Sequence, residues 1–505
     1  MLKLRIFSVL LLILFACSLN AQEQQALGFE EALKHALEKN PAVTGAASDV
    51  RSAEAVVEKT YAMFDLMMKA GVNYAESKPV VTSILSPEEA KVLAYNAGLS
   101  NKLFTGGFLS VDFTTSKTTL FYPVIDSGVF PISIDPALFT TAHNPSYTPK
   151  LSLSYMQPIL KDFWGRPDQK AIKAGALMVN MSKEGMRSAV INTVASLKEA
   201  YYFVYMAGLM VKIQKDFYDD AEKFYNETVS LKKIGLREER DVLQTKASVL
   251  DSKAEIAPAE NNYRFAAENF LNAAGYRPDE WEKFKIETSG EPESAVIPEK
   301  MTTALENTLV EMQPAVMMAK TGYEMAVTGR EIAENSSLPS LNLVGSYGIE
   351  GAEGALSESF QMLREGNNRE FMVGAMFSYS FPNRGSSGEV KEKREGAKKA
   401  LEQYEAAKSM TRIQVRSSYR AVVSAKDNYE MKKEAARLQQ KRLKIESSNF
   451  SQGRISTREL LMAQMDYHTS RIKETAAFYD YIKAVSAWNK INGKYDSYYN
   501  ELAKQ

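Results

Sequence analysis

The segment VINTVASLKEAYYFVYMAGLMV, residues 190–211, decides the fold of this chain. Its apolar residues recur at alternating spacings of four and three, which is the pattern of a coiled-coil seam. The seam consists of Val190, Val194, Leu197, Tyr201, Val204, Gly208 and Val211. No proline interrupts the chain between Asp168 and Gly235. We therefore predict one helix of about 65 residues, which would be roughly 100 Å long.

The seam recurs in the second half of the chain, together with other anchors that keep constant offsets. The matched positions are Pro41-Ala42-Val43 with Pro314-Ala315-Val316, Leu197 with Val415, Tyr201 with Tyr419, Val204 with Val422, Gly235 with Gly453, Asp241-Val242-Leu243 with Glu459-Leu460-Leu461, and Gly275 with Gly493. Ordered anchors at fixed offsets indicate a tandem duplication. We predict a first repeat over residues 22–290 and a second over residues 291–505.

Each repeat has the same predicted order: a short helix, a strand region, the long helix, a turn and another short helix. In the first repeat a lead-in helix at Phe29–Glu38 precedes a helix from Pro41 to about Leu66, and the last helix ends at Gly275 with a kink at Pro258. The helices of the second repeat are predicted at 314–338, 387–452 and 455–492. In both repeats the two short helices together match the long one in length. Such helices suit a tube better than a compact globule.

Four segments at one end of these helices are predicted to be strands. They alternate imperfectly and have about the nine to eleven residues that a tilted membrane strand needs. The segments are 69–77, 150–157, 341–349 and 371–380. Four strands cannot close a barrel, and open sheet edges cannot face lipid. We therefore predict that several copies share one transmembrane β-barrel.

Between Tyr74 and Ser154 the first repeat has roughly fifty more residues than the second repeat has in the corresponding segment. Loops tolerate insertions of this kind. It carries two more candidate strands, 92–103 and 108–117, joined by the turn Thr105-Gly106-Gly107. Such a hairpin either enlarges the barrel or stands beyond it, and both remain open. Residues 121–147, rich in Pro, Ser and Asp, are predicted to form a long exposed loop.

The N-terminus has the layout of a secretory signal peptide over residues 1–21. Met1–Arg5 carries two positive charges, an apolar run follows to Ala16, and small and polar residues end at Ala21. Cys17 has two interpretations: it is the lipidated first residue of a bacterial lipoprotein, or cleavage after Ala21 removes it. No later stretch reaches the roughly 18 apolar residues of a spanning helix, so a membrane location requires strands or a lipid.

Composition excludes several classes of protein. The 62 basic and 62 acidic residues balance, which argues against a nucleic-acid binder, and one cysteine cannot form an internal disulfide framework. His35, His143 and His468 lie far apart in the sequence and are expected to be packing or surface residues. The chain contains none of the common catalytic or nucleotide-binding motifs. We predict no enzymatic activity, no cofactor and no metal site.

The residues resemble those of the outer membrane efflux (TolC-like) protein family. The resemblance rests on Asn40-Pro41, Gln157-Pro158, the two glycine turns followed by Asp241-Val242-Leu243 and Glu459-Leu460-Leu461, and the twofold layout. It implies a mainly α fold with a β membrane part: a homotrimer whose shared transmembrane β-barrel continues as a long α-helical barrel across the periplasm. It also implies a periplasmic adaptor (membrane fusion) protein and an inner-membrane pump, in an efflux or type I secretion system.

By this resemblance the two glycine turns are the periplasmic tips that dock the adaptor. A tight turn between helices favours a residue free to adopt positive φ, which Gly235 and Gly453 provide. The candidate docking residues are Ile234, Gly235, Leu236, Gly453, Arg454 and Ile455. The alternative is that they only form turns.

Asp241 and Glu459 occupy equivalent positions beyond the turns. Threefold symmetry would repeat each into a ring of carboxylates, which favours cations and could gate the entrance by pairing with nearby Arg237, Arg240 or Arg458. An acid at a helix N-terminus is also ordinary capping. Aromatic residues near the strand ends, among them Tyr155, Trp164 and Phe377, either form a membrane girdle or pack the junction to the helices.

Two classes of function remain after these exclusions. The main hypothesis is an outer-membrane channel-tunnel that exports small molecules or proteins. The alternative is a coiled-coil scaffold of the periplasm or cell surface without a pore. The sequence leaves the exported substrate open.

Overall fold

The structure, a computed structural model, describes residues 25–80, 86–122, 143–288 and 296–503. The predicted signal peptide with Cys17 and most of the predicted loop 121–147 lie outside the described residues. The chain divides into two compact units, each assembled from both repeats. The first contains the described residues within Met1–Arg51, Met181–Lys320 and Gln403–Gln505, and the second contains those within Ser52–Asn180 and Thr321–Glu402.

The helices of the first repeat are α1 (Phe29–Lys39), α2 (Pro41–Tyr61), α3 (Arg166–Lys233), α4 (Glu239–Ala254) and α5 (Ile256–Ala273). Helix α3 has 68 residues, close to the predicted length. The predicted kink lies where α4 ends and α5 begins. The ring of a proline clashes with the carbonyl four residues earlier. For Pro258 that residue is Ala254, the last of α4.

The helices of the second repeat are α6 (Thr303–Glu311), α7 (Pro314–Ser336), α8 (Leu356–Glu365), α9 (Arg384–Ser451), α10 (Thr457–Ile491) and α11 (Asp496–Leu502). Helix α9 also has 68 residues, so the long helices of the two repeats are equal in length. The mainly α fold with a twofold arrangement is confirmed. Helices α6, α8 and α11 were not predicted.

The core of the first unit is built on the seam. Val190, Val194 and Leu197 are fully buried and lie in one cluster with Phe270 of α5 and Ile482 of α10. In the second repeat the equivalent seam residues Val415 and Val422 are also fully buried, in a cluster with Trp488. The coiled-coil pattern therefore marks the true packing face of both long helices. A small parallel sheet of β1 (Gln25–Leu27) and β6 (Phe284–Ile286) belongs to the same unit.

The second unit contains a six-stranded antiparallel sheet in the order β2-β3-β4-β5-β7-β8. Its strands are β2 (Met67–Ser77), β3 (Glu89–Lys102), β4 (Phe108–Phe121), β5 (Ser146–Pro158), β7 (Ser340–Glu350) and β8 (Asn368–Ser378). All six predicted strands are confirmed. The inserted hairpin β3–β4 lies inside the sheet, between β2 and β5, and thereby becomes part of it.

Within the described part of the chain, no helix combines the length and the apolar character that a membrane crossing needs.

Candidate functional site

The two predicted turns have the same backbone geometry. Gly235 and Gly453 follow the long helices with φ of +80° and +71°. At the first turn the N–H of Gly235 donates to the carbonyl of Lys232, and the N–H of Leu236 donates to that of Leu231, each at 2.9 Å. This is the Schellman motif, in which a left-handed residue lets the last carbonyls of a helix find donors.

The second turn repeats this pattern residue for residue. The N–H of Gly453 donates to the carbonyl of Phe450, and the N–H of Arg454 donates to that of Asn449, each at 2.9 Å. The duplicated glycine therefore terminates a long helix in the same way in each repeat.

Asp241 and Glu459 both close a capping box at the helix that follows the turn. The backbone N–H of Glu238 donates to the Asp241 carboxylate at 3.1 Å, and that of Ser456 donates to the Glu459 carboxylate at 2.7 Å. The hydrogen bonds from Ser456 hold the pKa of Glu459 below its ordinary value. The capping role considered for these acids is thus present in the structure.

Arg237 joins the two turns, which the sequence did not predict. Its Nη2 donates to the carbonyl of Ile455 at 2.9 Å, and its guanidinium lies 4.3 Å from the centre of the Phe450 ring. Phe450 is fully buried and meets Phe224 edge to face. A cation on an aromatic face contributes about 0.5–2 kcal/mol. Arg237, one of the arginines considered as partners of the acids, therefore links the two turns.

The predicted docking residues differ in accessibility. Ile234 and Leu236 are 69% and 62% exposed, which is unusual for large apolar side chains side by side. Gly453 and Arg454 are also exposed. Ile455 is half-buried because it packs against the cluster of Phe224 and Phe450. The free apolar surface of the turns is therefore provided by Ile234 and Leu236.

The six-stranded sheet has two chemically distinct faces. Successive residues of a strand point to opposite faces, and directly paired residues of neighbouring strands share a face, so the register assigns every residue. The apolar face carries Met68, Ala70, Val72, Tyr74, Leu93, Tyr95, Ala97, Leu99, Leu109, Val111, Phe113, Leu151, Leu153, Tyr155, Leu343, Tyr347, Ile349, Phe371, Val373, Ala375 and Phe377. Several of these residues are widely exposed, for example Phe371 at 75% and Val373 at 70%. Charged residues of this face, such as Glu76, Lys91 and Arg369, lie near the strand ends remote from the flanking helices.

The opposite face carries mostly small and hydrophilic side chains, together with the larger apolar residues Met67, Val92, Phe108, Leu120, Met156, Val344, Met372 and Met376. We call it the polar face. It includes Lys69, Gly71, Asn73, Asn96, Gly98, Ser100, Ser110, Asp112, Thr114, Ser116, Thr148, Lys150, Ser152, Ser154, Asn342, Ser346, Gly348 and Glu370. Lys69 Nζ pairs with Asp112 at 2.8 Å, and Lys150 pairs with Glu370. All four charges of these pairs point to the same side of the sheet.

The predicted aromatic residues lie at the helix side of the sheet. Tyr155 and Phe377 belong to the apolar face, and Trp164 is 57% exposed beside the start of α3. Helix α8 lies on the same apolar face, where Phe360 stacks on Phe113 with ring centres 6.0 Å apart.

Each histidine has a packing or polar partner. His35 stacks on Tyr276, His468 stacks on Phe217, and His143 lies 2.8 Å from Glu353. Burial lowers the pKa of His468. Over the described ranges, no three His, Cys, Asp or Glu side chains are grouped so that they could hold a metal ion.

Long helices together with an antiparallel sheet define a class of fold that is known from solved bacterial membrane proteins, outer-membrane channels among them. Three solved structures share it. The CmeC outer membrane channel of Campylobacter jejuni is 14% identical, with 94% of this chain and 89% of that chain covered and a TM-score of 0.67. A membrane protein from Pseudomonas aeruginosa is 15% identical, with 94% of each chain covered and a TM-score of 0.69. The outer-membrane channel OprN is 14% identical, with 92% and 89% covered and a TM-score of 0.67.

A sequence comparison adds a match in the second repeat. Residues 305–494 match the model of the outer membrane efflux protein family. This match confirms the resemblance that the turns and the duplication predicted. Comparison with curated proteins finds no match.

Proposed function

We propose that this chain is an outer-membrane channel-tunnel, through which small molecules or proteins pass from the periplasmic side to the exterior. The observation that carries the proposal is the division of the sheet into an apolar and a polar face. A membrane strand places apolar residues towards lipid and polar residues towards the lumen. The paired charges of the polar face then line a water-filled passage.

A homotrimer follows from the open edges of the sheet. Edge strands β2 and β8 present unpaired backbone groups beside an apolar face, and such groups cannot be left unpaired in lipid. Pairing β2 of one copy with β8 of the next satisfies both edges, because the two strands run antiparallel in the sheet order. Three copies related by a threefold axis would close the ring.

The turns at Gly235 and Gly453 are proposed to dock a periplasmic adaptor, which links the channel to an inner-membrane pump. The support is the exposed pair Ile234 and Leu236, since exposed apolar side chains at a fixed turn suit a protein contact. Asp241 and Glu459 are proposed to add rings of negative charge near the entrance. Capping occupies an oxygen of each carboxylate and leaves its charge in place.

The scaffold alternative accounts for the long helices alone. A coiled-coil scaffold has no use for six paired strands with widely exposed Phe371 and Val373 on one face. In water such a surface would favour aggregation.

Fractionation of cells that produce the full chain tests the proposal. We expect the protein in the outer-membrane fraction, as a trimer that resists sodium dodecyl sulfate until it is heated. A monomer that remains soluble without detergent would contradict the channel and favour the scaffold.

A further inference from the structure

We propose that the inserted hairpin β3–β4 forms part of the barrel wall, so that three copies close a barrel of eighteen strands. The four strands predicted outside the insertion would give a trimer only twelve. The inference rests on the proposed trimeric channel and adds to it the size of the barrel and the role of the insertion. Three observations support it.

The first observation is continuous backbone pairing across the hairpin. Strand β3 pairs with β2 from Met67↔Ser100 to Ser77↔Ala90, which is the whole length of β2. On its other side, β4 pairs with β5 from Phe108↔Met156 to Thr118↔Ser146. Because both hairpin strands are fully paired on two sides, β2 and β5 are separated by two strands along nearly their whole length.

The second observation is the close fit of the hairpin turn against the start of α3. A Cβ on Gly106 would lie 2.9 Å from the carbonyl oxygen of Asp162 and 2.9 Å from the nitrogen of Gly165. A Cβ on Gly165 would lie 2.4 Å from the carbonyl oxygen of Phe104. Both glycines also have positive φ, of +76° and +64°. Only glycine allows this approach of two backbones, so the turn is fitted to the junction of strand and helix.

Side-chain contacts also hold the hairpin turn against β5 and the start of α3. Gln157 Nε2 donates to the carbonyl of Thr105 at 3.0 Å, and Lys102 Nζ pairs with Asp168 of α3 at 2.7 Å. The hairpin is thus held at its base by β5 and by the first turn of the long helix. A hairpin that stands beyond the barrel would not need these contacts.

The third observation is that the hairpin keeps both faces of the sheet in register. Leu99 and Val111 continue the apolar face, while Ser100, Asp112 and Thr114 continue the polar face. A hairpin outside the barrel wall would not require its apolar and polar side chains to lie on opposite faces of the sheet.

The ion pair of Lys69 with Asp112 strengthens the third observation. Lys69 lies on β2 and Asp112 on β4, so their side chains meet across β3. They meet above Gly98, where a Cβ would lie 2.4 Å from Asp112 Oδ1 and 2.7 Å from Lys69 Cε. Because Gly98 has no side chain, it leaves room for this ion pair, which links the edge strand β2 to β4 of the inserted hairpin.

The two open edges of the sheet allow such a ring to close, with or without the inserted hairpin. Strands β2 and β8 have 11 residues each. For the apolar face to continue from one copy to the next, the even-numbered residues of β2 must pair with the odd-numbered residues of β8.

The eighteen-stranded ring would be about 1.5 times as wide as a twelve-stranded one, because barrel diameter grows nearly in proportion to strand number.

Cysteine labelling of the purified trimer in lipid bilayers tests the proposal. The parent chain has one cysteine, Cys17, and its labelling is subtracted as background. Val111→Cys and Thr114→Cys place thiols on opposite faces of β4, and both side chains are exposed in the single chain. Leu153→Cys and Ser152→Cys provide the matched pair on β5, a strand outside the insertion.

We expect a charged, water-soluble maleimide to react at least about tenfold faster with Thr114→Cys than with Val111→Cys, because a thiol in lipid does not form the reactive thiolate. The β5 pair should differ in the same direction. If the β5 pair differs and the hairpin pair reacts equally fast, the hairpin is outside the wall and the inference is wrong. If neither pair differs, the sheet does not lie in the membrane and the proposed channel fails with it.

Electron cryo-microscopy of the unmodified trimer provides the second measurement. Eighteen strands in the barrel would support the inference, and twelve strands with the hairpin outside would overturn it. A particle without threefold symmetry would instead contradict the trimer.

Discussion

At the scale of single residues, both repeats have a glycine at the equivalent position after the long helix. Gly235 and Gly453 combine positive φ with empty space around the position of a Cβ. The requirement at both sites is therefore conformational and not steric. Any other residue there would have to adopt a left-handed backbone, which L side chains disfavour.

We expect Gly235→Ala and Gly453→Ala each to lower the free energy of unfolding by about 1 kcal/mol, because alanine must take positive φ. The thermal midpoint of the purified protein is the measurement. Gly396→Ala is the control, since Gly396 lies within α9 and has no atom within 4 Å of its Cβ position. That substitution should leave the midpoint unchanged or raise it. Equal losses at all three sites would contradict the account of the turns.

The capping role of Glu459 and its proposed contribution to a ring of charge have effects that can be separated. Its pKa is lowered in the folded protein, so its capping contribution is fully present above its ordinary pKa of 4.5 and is lost as the pH falls through the lower folded value. Glu459→Gln keeps an acceptor for the Ser456 N–H and removes the charge. We expect the thermal midpoint of this variant to depend less on acid pH than that of the parent.

The charge of Glu459 is tested by ion selectivity across a planar bilayer. If the residue contributes a ring of charge, Glu459→Gln reduces the preference for cations, and Glu459→Asp, which keeps the charge, preserves it. Unchanged selectivity in Glu459→Gln would leave capping as its only role.

At the scale of elements, the sequence predicted most helices and strands because their patterns are long. The seam of α3 and the proline at 258 were sufficient to place the long helix and the break between α4 and α5. Helix α8 was missed because its 10 residues span too few turns to establish a period. The contact of Arg237 with Phe450 was missed because it joins residues of different repeats, which no local pattern links.

The position of the inserted hairpin also could not be predicted. Alternation within 92–103 and 108–117 indicates strands, but it does not state which neighbours they pair with. Pairing partners are fixed by register and by the fit of Gly106 against Gly165, and both are contacts distant in sequence. The two faces of the sheet became clear only once the register joined all six strands.

Gly165→Ala tests the junction between hairpin and helix. The added Cβ would meet the carbonyl oxygen of Phe104 at 2.4 Å, on a backbone with φ of +64°. We expect a loss of roughly 2–4 kcal/mol, seen as less trimer resistant to sodium dodecyl sulfate. Gly374→Ala in β8, with no atom within 4 Å of its Cβ position, should have little effect. Similar trimer yields for both variants would exclude a tight junction.

Ile234 and Leu236 are considered together as one element because a single turn holds both exposed side chains. We expect Leu236→Asp to abolish export while the trimer still forms, because a charge placed in an apolar contact loses its hydration. Leu236→Met, which keeps the apolar surface, should retain export. Drug susceptibility of cells and trimer yield are measured together. Normal export by Leu236→Asp would remove Leu236 from the adaptor contact.

At the scale of the whole molecule, the two repeats contribute unequally to the sheet. The second repeat supplies β7 and β8, and the first supplies four strands because of its insertion. The two long helices and the two glycine turns, in contrast, are equivalent in length and in backbone geometry. The repeat boundaries at 290 and 291, the signal peptide and the fate of Cys17 remain predictions from the sequence.

The central claim is that copies of this chain enclose a water-filled passage across a membrane. Planar-bilayer conductance of the detergent-extracted, purified trimer tests it most directly. We predict discrete single-channel openings that prefer cations. A well-folded trimer that inserts into the bilayer without any openings, and whose polar-face cysteines do not react with the water-soluble maleimide, would contradict the claim.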